Sequence, residues 1–500
     1  MAQRNWYSWS PPREAGPQRP ADAHENSSLP LSDAQLGIWF AQALDPSSPA
    51  YNLGEYLEIR GSLDAALFES AVREVVEEAE ALRVRLVLSA DGPRQIVSPQ
   101  ADWSMPFIDI SSAAHPQQLA EEWMKTDLAR PVDISHGPLF GFALFKAAPD
   151  LFFWYARYHH IVADGVGLAL VAQRVADVYT ALVTGRIDDD RRFGTLAHVL
   201  EEEAAYRASP RFEQDRKYWT SRLADLPPAA RLSERPYVKS PGFVRYSGLL
   251  PFSTDRRLRS LAQQIGVTLP QLVTAAAAIF VHRLTGAEDV VLDVPLTARM
   301  TPVARRTPGM MSNVLPVRLS VSSNLTVSAL VRETTQRMRH VIRHQRYNIA
   351  NLRRDIGRAA DQRAFGPTVN FMPFDYDLRF DGRLATAHNL AAGPVEDLSI
   401  ALYDRSDGRE VRIDFDGNPA SYDKEELRNL QRRFLRLLAA IESPDQKIGR
   451  LEILEAQERH TILEEWNATA RALPAASLPE LFAAQAAKTP DAVAAQFEGE

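Results

Sequence analysis

Leu151-Phe152-Phe153-Trp154-Tyr155-Ala156-Arg157-Tyr158 runs directly into His159-His160-Ile161-Val162-Ala163-Asp164-Gly165, and the fold is read outward from this passage. The first part is aromatic and mostly apolar without polar alternation, which predicts a strand covered on both faces. Apolar periodicity resuming at about Val166 predicts a helix, so 159–165 is a polar turn held between two rigid elements. Imidazole titrates near about 6.5, so a histidine here can accept a proton or hydrogen-bond a reacting amine at neutral pH. Side chains of adjacent residues on an extended segment point in opposite directions. One histidine therefore faces a substrate while the other supports the loop, and the same divergence argues against a two-histidine metal pair. Asp164 has two open roles: holding a histidine tautomer, or fixing the turn as a buried carboxylate paired with an arginine. Gly165 removes bulk where a substrate approaches and permits an unusual dihedral. An inert polar turn with both histidines hydrogen-bonded is the competing reading of the same residues.

On either side of this passage the chain alternates helix and strand signals. Residues 64–82 carry Leu67, Ala71, Val72, Val75, Val76 and Ala79 at helical spacing behind a capping Asp64. A Pro-containing stretch at 226–241 separates a second series, with helices expected at 254–264, 270–284, 326–343 and 424–441 and strands at 245–252 and 289–295. Residues 1–28 read as an aperiodic leader, and from about Glu442 the text loses the pattern of the body. The expected class is mixed α/β in two lobes. Arg332, Arg339 and Arg343 recur near helical spacing, as a solvated face or an acidic partner's seat, and Glu201-Glu202-Glu203 reads as solvent-facing charge.

Composition removes several function classes. Five hundred residues exceed one ordinary domain. A net charge of -7 and pI near 6.0 give no whole-chain attraction to nucleic acid or an anionic membrane. With no cysteine there is no disulfide, thiol nucleophile, thiolate zinc site or iron–sulfur cluster. No unbroken apolar run of about 18 residues occurs, and the start lacks the basic-then-apolar order of a signal peptide, so a cytoplasmic protein is expected. Phosphate-loop, HExxH and G-x-S-x-G patterns are missing, so ATP hydrolysis, a helix-borne metal and serine-esterase chemistry lack their parts, and no metal is expected.

The HHxxxDG arrangement at 159–165 resembles the signature of nonribosomal peptide synthetase condensation domains, relatives of chloramphenicol acetyltransferase-like enzymes. The likeness runs in order through about 29–454. Leu31-Ser32-Asp33-Ala34-Gln35-Leu36-Gly37-Ile38-Trp39 resembles the opening motif. Glu78-Ala79-Glu80-Ala81-Leu82-Arg83 occupies the second motif without its usual Arg-His. Tyr218-Trp219, Pro308-Gly309-Met310-Met311-Ser312-Asn313, His344-Gln345-Arg346-Tyr347 and Phe365-Gly366-Pro367-Thr368-Val369-Asn370 continue the match. The resemblance implies a V-shaped α/β fold with an N-lobe at 29–203, a C-lobe at 204–450 and a tunnel between them. It makes His160 the catalytic candidate, supported by His159, Asp164 and Gly165. Arg299 matches the arginine expected to pair with Asp164, and Ser312, Asn313 and Asn370 are polar tunnel candidates.

The implied reaction is amide formation between an acyl thioester donor and an aminoacyl group on a carrier domain's phosphopantetheine arm. Arg157-Tyr158-His159-His160, Arg343-His344-Gln345-Arg346-Tyr347 and Gly393-Pro394-Val395-Glu396-Asp397-Leu398 resemble starter or siderophore-type members. Together with the short leader they imply a chain-initiating domain whose donor is a fatty acyl-CoA or a standalone acyl or aryl carrier protein. Glu464-Glu465-Trp466-Asn467-Ala468-Thr469-Ala470, Leu481-Phe482 and Thr489-Pro490-Asp491-Ala492 resemble the junction to an adenylation domain, so 451–500 is expected to be linker and the start of that domain in a longer parent. A catalytically inactive recruitment module for carrier or tailoring proteins, and an ester-forming condensation domain, are the alternatives.

Overall fold

The computed structural model describes residues 28–186, 192–235, 238, 240, 242–357, 365–372, 377–404, 410–472 and 475–498. The expected leader lies, apart from Ser28, outside the described residues. Met1–Glu452 forms one compact unit and Ile453–Glu500 a second.

The expected core strand extends to Leu151–His159 and lies inside a six-stranded sheet. Its neighbours are Asn52–Arg60 and Phe140–Ala148, both antiparallel, and Phe107–Asp109 closes that edge. Burial of Phe152 through Ala156 matches the unbroken apolar run, because layers pack on both faces. On one face lie helices Ala65–Glu78 and Gly165–Thr184, bringing Phe68, Val72, Val75, Val171 and Val175 against Leu57 and Trp154. The opposite face is covered by Pro116–Leu128, where Met124 meets Tyr56, Phe145 and Tyr155. Asp64 caps the first helix by accepting from the amides of Ala66 and Leu67. Gly165–Thr184 has the length and apolarity of a membrane span, but Val171, Ala172, Val175, Ala176 and Tyr179 are spent on this core.

A second six-stranded sheet has the order Asn313–Ser320, Asp289–Leu296, Thr368–Met372, Leu398–Tyr403, Val411–Gly417 and Val244–Leu250. Helices Phe252–Ile265, Leu269–Thr285, Val327–Arg343 and Lys424–Ala440 fall within one or two residues of their expected spans. Leu29–Pro30, Gly92–Val97 and Val84–Ser89 form a small third sheet.

Two expectations are corrected. The partition into 29–203 and 204–450 is not followed by strand pairing: Arg379–Phe380 and Arg383–Ala392 join the first sheet, the latter antiparallel to Asn52–Arg60. The second half of the chain thus supplies strands to the sheet that carries the histidines. Residues after Glu442 also stay in the body for another turn, with Ile448 and Leu451 buried and Thr326 bridged to Lys447. The second unit holds helices Ala456–His460 and Leu478–Lys488, the latter started by a Ser477–Glu480 capping box.

Candidate active site

The two histidines leave the end of their strand in different environments. His159 is buried; its Nδ1 accepts from the Ile161 amide at 3.3 Å and its Nε2 lies 3.3 Å from Gln42 Oε1. Since Nδ1 accepts, Nε2 carries the proton. Burial, reinforced by His160 and Arg157, pulls the His159 pKa down to about 3, so this ring is a neutral prop.

His160 is half-buried. Its amide donates to Tyr51 O at 2.7 Å and its Nδ1 lies 2.9 Å from Ala163 O. A carbonyl can only accept, so Nδ1 carries the proton and the Nε2 lone pair is left available. Desolvation lowers the His160 pKa, opposed by the Ala163 hydrogen bond and the charge of Asp164, which keeps the ring neutral and able to accept a proton. The Nε2 edge is bordered by Gly393, directly after the strand that crosses into this sheet. A Cβ on Gly393 would stand 3.0 Å from His160 Cδ2, 3.5 Å from Nε2 and 3.6 Å from Leu53 Cδ2. Gly393 has φ +96°, a conformation side chains resist.

Asp164 does not contact the His160 ring. It caps the following helix, with Oδ1 accepting from Gly167 N at 2.8 Å and from Arg299 Nη2 at 2.8 Å. Oδ2 accepts from the amides of Met311 at 3.1 Å and Ser312 at 3.0 Å. Arg299 also donates from its two terminal nitrogens to the carbonyls of Ala304, Thr307 and Gly309, while its Nε has no hydrogen-bond partner among the described residues. Both side chains are buried, Asp164 at 1% exposure and Arg299 at 5%, so every partner is needed to offset desolvation. Gly167 and Gly309 allow the two chain segments to touch, since a Cβ on Gly167 would lie 3.2 Å from Gly309 N. The carboxylate therefore stitches the histidine turn to the segment that follows the second sheet's Asp289–Leu296 strand. Ala298, at φ 52° with its amide held by Gln345 Oε1 at 3.1 Å, turns Arg299 into place.

The remaining candidates divide. Gly165 is the first helical residue and is absent from the positive-φ glycines of the described residues, so the dihedral freedom expected of it is unused. Asn313 is committed to scaffolding: its Nδ2 donates to Gln345 O and Tyr347 O at 3.0 and 2.8 Å, and its Oδ1 accepts from Ile349 N at 3.2 Å. Ser312 contributes its amide to Asp164, while its hydroxyl meets Met310 Sδ at 3.7 Å. Asn370 is half-buried on the strand Thr368–Met372, with no side-chain hydrogen bond among the described residues. A cavity of about 90 Å³ opens beside Met311 and Asn313, walled by Ser32, Glu203, Met300 and Gln345; His160 does not line it. The expected solvent-facing triplet is corrected at two positions. Glu202 accepts from Thr301 Oγ1 at 2.7 Å and Glu203 from Asp33 N at 2.9 Å, because the helix Leu196–Arg207 packs across this junction. Arg332, Arg339 and Arg343 are exposed.

A strand-end histidine next to a buried aspartate–arginine clamp, which ties the histidine turn to the segment between two strands of the second sheet, is the arrangement the resemblance to chloramphenicol acetyltransferase-like α/β enzymes implies. The profile of the condensation domain family matches residues 25–463, and the chain belongs to that family. It is 45% identical over 466 residues to a dimodular nonribosomal peptide synthase of Bacillus subtilis (strain 168), covering 93% of this chain and 20% of that protein. It is 43% identical over 430 residues to an isonitrile lipopeptide synthase of Streptomyces coeruleorubidus, covering 85% of this chain and 29% of the relative. The chain thus spans between a fifth and a third of these relatives' lengths. Among solved structures, the starter condensation domain of rhizomide synthetase RzmA, as a mutant in complex with C8-CoA, superposes with TM-score 0.81 at 41% identity over 86% of this chain and 98% of that one. The first condensation domain of the calcium-dependent antibiotic synthetase gives 0.80 at 34% identity over 86% of this chain and 99% of that one. Condensation domains of nonribosomal peptide synthetases are acyltransferases that form amide bonds.

Proposed function

We propose that this chain is a starter-type condensation domain that N-acylates an aminoacyl group carried on phosphopantetheine, using a fatty acyl-CoA or an acyl or aryl carrier protein as donor. The observation that carries the reading is the state of His160, whose proton is fixed on Nδ1 by Ala163 O while Nε2 is bordered by Gly393. The acceptor nitrogen attacks the thioester carbonyl, a C–N bond forms and the C–S bond breaks. His160 Nε2 accepts the proton released by nitrogen and returns it to the departing sulfur, so the ring ends as it began. Asp164 acts at one remove, holding the turn that aims the ring. The complex of the similar starter domain with C8-CoA supports an acyl thioester donor. The acceptor carrier and a downstream adenylation domain are proposed to belong to the same parent, on the strength of the junction-like residues 464–492. Intact-mass detection of N-acylated aminoacyl carrier, across a panel of acyl-CoAs and of acyl- and aryl-loaded carriers with His160→Ala alongside, tests this. Product that depends on His160 supports the reading, and a fully loaded panel without product overturns it in favour of a recruitment module.

A further inference from the structure

Gly393 stands against the His160 ring because of one extra residue in the strand before it. Arg383–Ala392 runs antiparallel to Asn52–Arg60 with Asn389 opposite Glu55 and Ala391 opposite Gly54, so Leu390 has no counterpart and forms a bulge. Leu390 packs with the layer of Tyr56, Phe145 and Tyr155. Ala392 then stands opposite Leu53, and Gly393 follows beside the ring. Were the pairing regular, Ala391 would stand opposite Leu53 and Ala392 would come to the place of Gly393, bringing a Cβ to the ring.

A bulge takes its backbone out of the regular ladder, so the groups it frees need partners from outside the strand pair. The second sheet supplies them. Arg245 Nη1 donates to Asn389 O at 3.2 Å and to Asn389 Oδ1 at 3.1 Å, and Tyr403 OH donates to the same Oδ1 at 3.1 Å. Arg245 is itself aimed by Asp416, whose two oxygens accept from its Nε at 2.7 Å and its Nη2 at 2.8 Å. Beyond Gly393 the residue after the same strand takes hold again. Asn418 N donates to Asp397 O at 2.8 Å, and Asn418 Nδ2 donates to Glu396 O at 3.0 Å. Asp416 and Asn418 are buried. The end of Val411–Gly417 therefore grips 389–397 on both sides of Gly393, through bonds separate from the Asp164–Arg299 clamp.

Resting on the acyl-transfer reading above, we propose that Arg245 and Asn389, with Asn418 beyond Gly393, are positioning residues for that reaction, holding the bulge so that Gly393 and not Ala392 borders His160 Nε2. They act on the rate at one remove, through the space left at the ring. A misplacement of about 1 Å at a reacting group is enough to cost about 10²-fold in rate.

The test is a double-mutant cycle between Gly393→Ala and Asn389→Leu, which removes the oxygen shared by Arg245 and Tyr403. Four residues of extended chain put the two positions roughly 13 Å apart, a distance at which substitutions ordinarily act independently. Single-turnover rates per folded molecule are measured together with KM for donor and acceptor. Asn389→Leu is expected to lower the rate about tenfold with both KM values within about twofold of wild type. Asn389→Asp keeps the accepting oxygen and is expected to recover most of that loss. In the Asn389→Leu background Gly393→Ala is expected to cost at least about threefold less than in wild type, because the ring is already displaced. A readout independent of turnover is the two-bond proton–nitrogen spectrum of protein carrying isotope-labelled histidine, with the His160 signals assigned by their loss in His160→Ala. They are expected to move in Asn389→Leu and to stay in Thr326→Ala, which weakens the N-cap of Val327–Arg343 without touching the bulge. If Asn389→Leu does not fold, Tyr403→Phe, which removes one of the two donors to the same oxygen, replaces it in both measurements. Additive rate losses, or an unmoved His160 spectrum, overturn the proposal while amide formation still stands. If no donor gives product, the acyl-transfer reading falls by itself, and movement or constancy of the His160 spectrum supports or overturns the positioning role.

Discussion

Two sides of the same centre are built on opposite principles. On the clamp side, Asp164 and Arg299 are buried, and both oxygens of the carboxylate are taken twice over. On the open side, His160 has one nitrogen bound and one available, Gly393 has no side chain, and the buried Glu55 carboxyl has no hydrogen-bond or ion-pair partner among the described residues. A buried carboxylate with both oxygens doubly bonded fixes geometry because removing one partner strands the others, whereas a group with an open position leaves bonding capacity for a ligand. Substitutions on the clamp should therefore appear in stability first, and substitutions on the open side in activity first.

The largest expected effect is on the open side. His160→Ala should lower the rate of amide formation by between about 10² and 10⁴-fold, read by intact mass under single-turnover conditions. Its melting temperature should stay near wild type, since the ring is half-buried and its one side-chain hydrogen bond is to a turn carbonyl. Unfolding of this variant together with loss of product would make His160 another part of the clamp and erase the contrast.

Next comes the clamp. Arg299→Ala leaves Asp164 buried against a cavity and should cost on the order of 3–5 kcal/mol of stability in denaturant unfolding. The double variant Asp164→Ala with Arg299→Ala should lose less than the two single losses added together, because the second substitution removes the charge that the first stranded. Strictly additive losses would show that the pair is not coupled.

Gly393→Ala tests the boundary from the open side with a single carbon. The new Cβ would crowd His160 Cδ2 at 3.0 Å and impose φ +96° on a residue that resists it. A loss of roughly 1–2 kcal/mol in stability follows from the backbone alone. A further drop of about tenfold in rate, beyond what the unfolded fraction explains, would mark displacement of the ring; an unchanged rate would place the substrate path elsewhere.

Much of this arrangement was legible in the sequence, and what was missed shares one cause. Helix and strand spans came from local period and capping, as at Asp64 and at the apolar run before His159, and local signals survive folding nearly unchanged. The strand Arg383–Ala392 carries no mark of its destination, because its partner Asn52–Arg60 lies more than 300 residues earlier and register is set by the assembled sheet. With it was lost the reason for Gly393. The resemblance that made Asn313 a tunnel candidate does not say whether its amide serves a substrate or three backbone groups, and its side chain is bonded to three backbone groups while the residue also lines the cavity beside Met311. Glu55 did leave a trace: in Asn52-Leu53-Gly54-Glu55-Tyr56-Leu57-Glu58-Ile59 it occupies the parity of Leu53, Leu57 and Ile59. A carboxylate at an apolar parity position is the sign that would have found it.

The smallest expected effect follows from that residue and concerns pH. Burial lifts the folded-state pKa of Glu55 from 4.5 to about 7, so between those values the folded protein holds the proton more tightly than the unfolded chain. That term favours folding at low pH and is lost as pH rises through about 7. Asp293, pushed up from 3.8 to about 7 by burial, acts in the same sense. His159 acts against them: lowered from 6.5 to about 3, it favours folding above 6.5 and loses that contribution as pH falls toward 3. Between about pH 4.5 and 6.5 the two carboxyl terms outweigh the single imidazole term, so wild-type stability should fall as pH rises. Glu55→Gln leaves Asp293 and His159 to offset one another, so its profile across that window should be flatter than that of wild type, by up to about 1 kcal/mol per unit. Parallel profiles in urea unfolding at pH 5.0, 6.0 and 7.0 would mean that Glu55 is ionised in the folded protein, and with that the open side of the centre would hold a charge rather than a neutral hydrogen-bonding group.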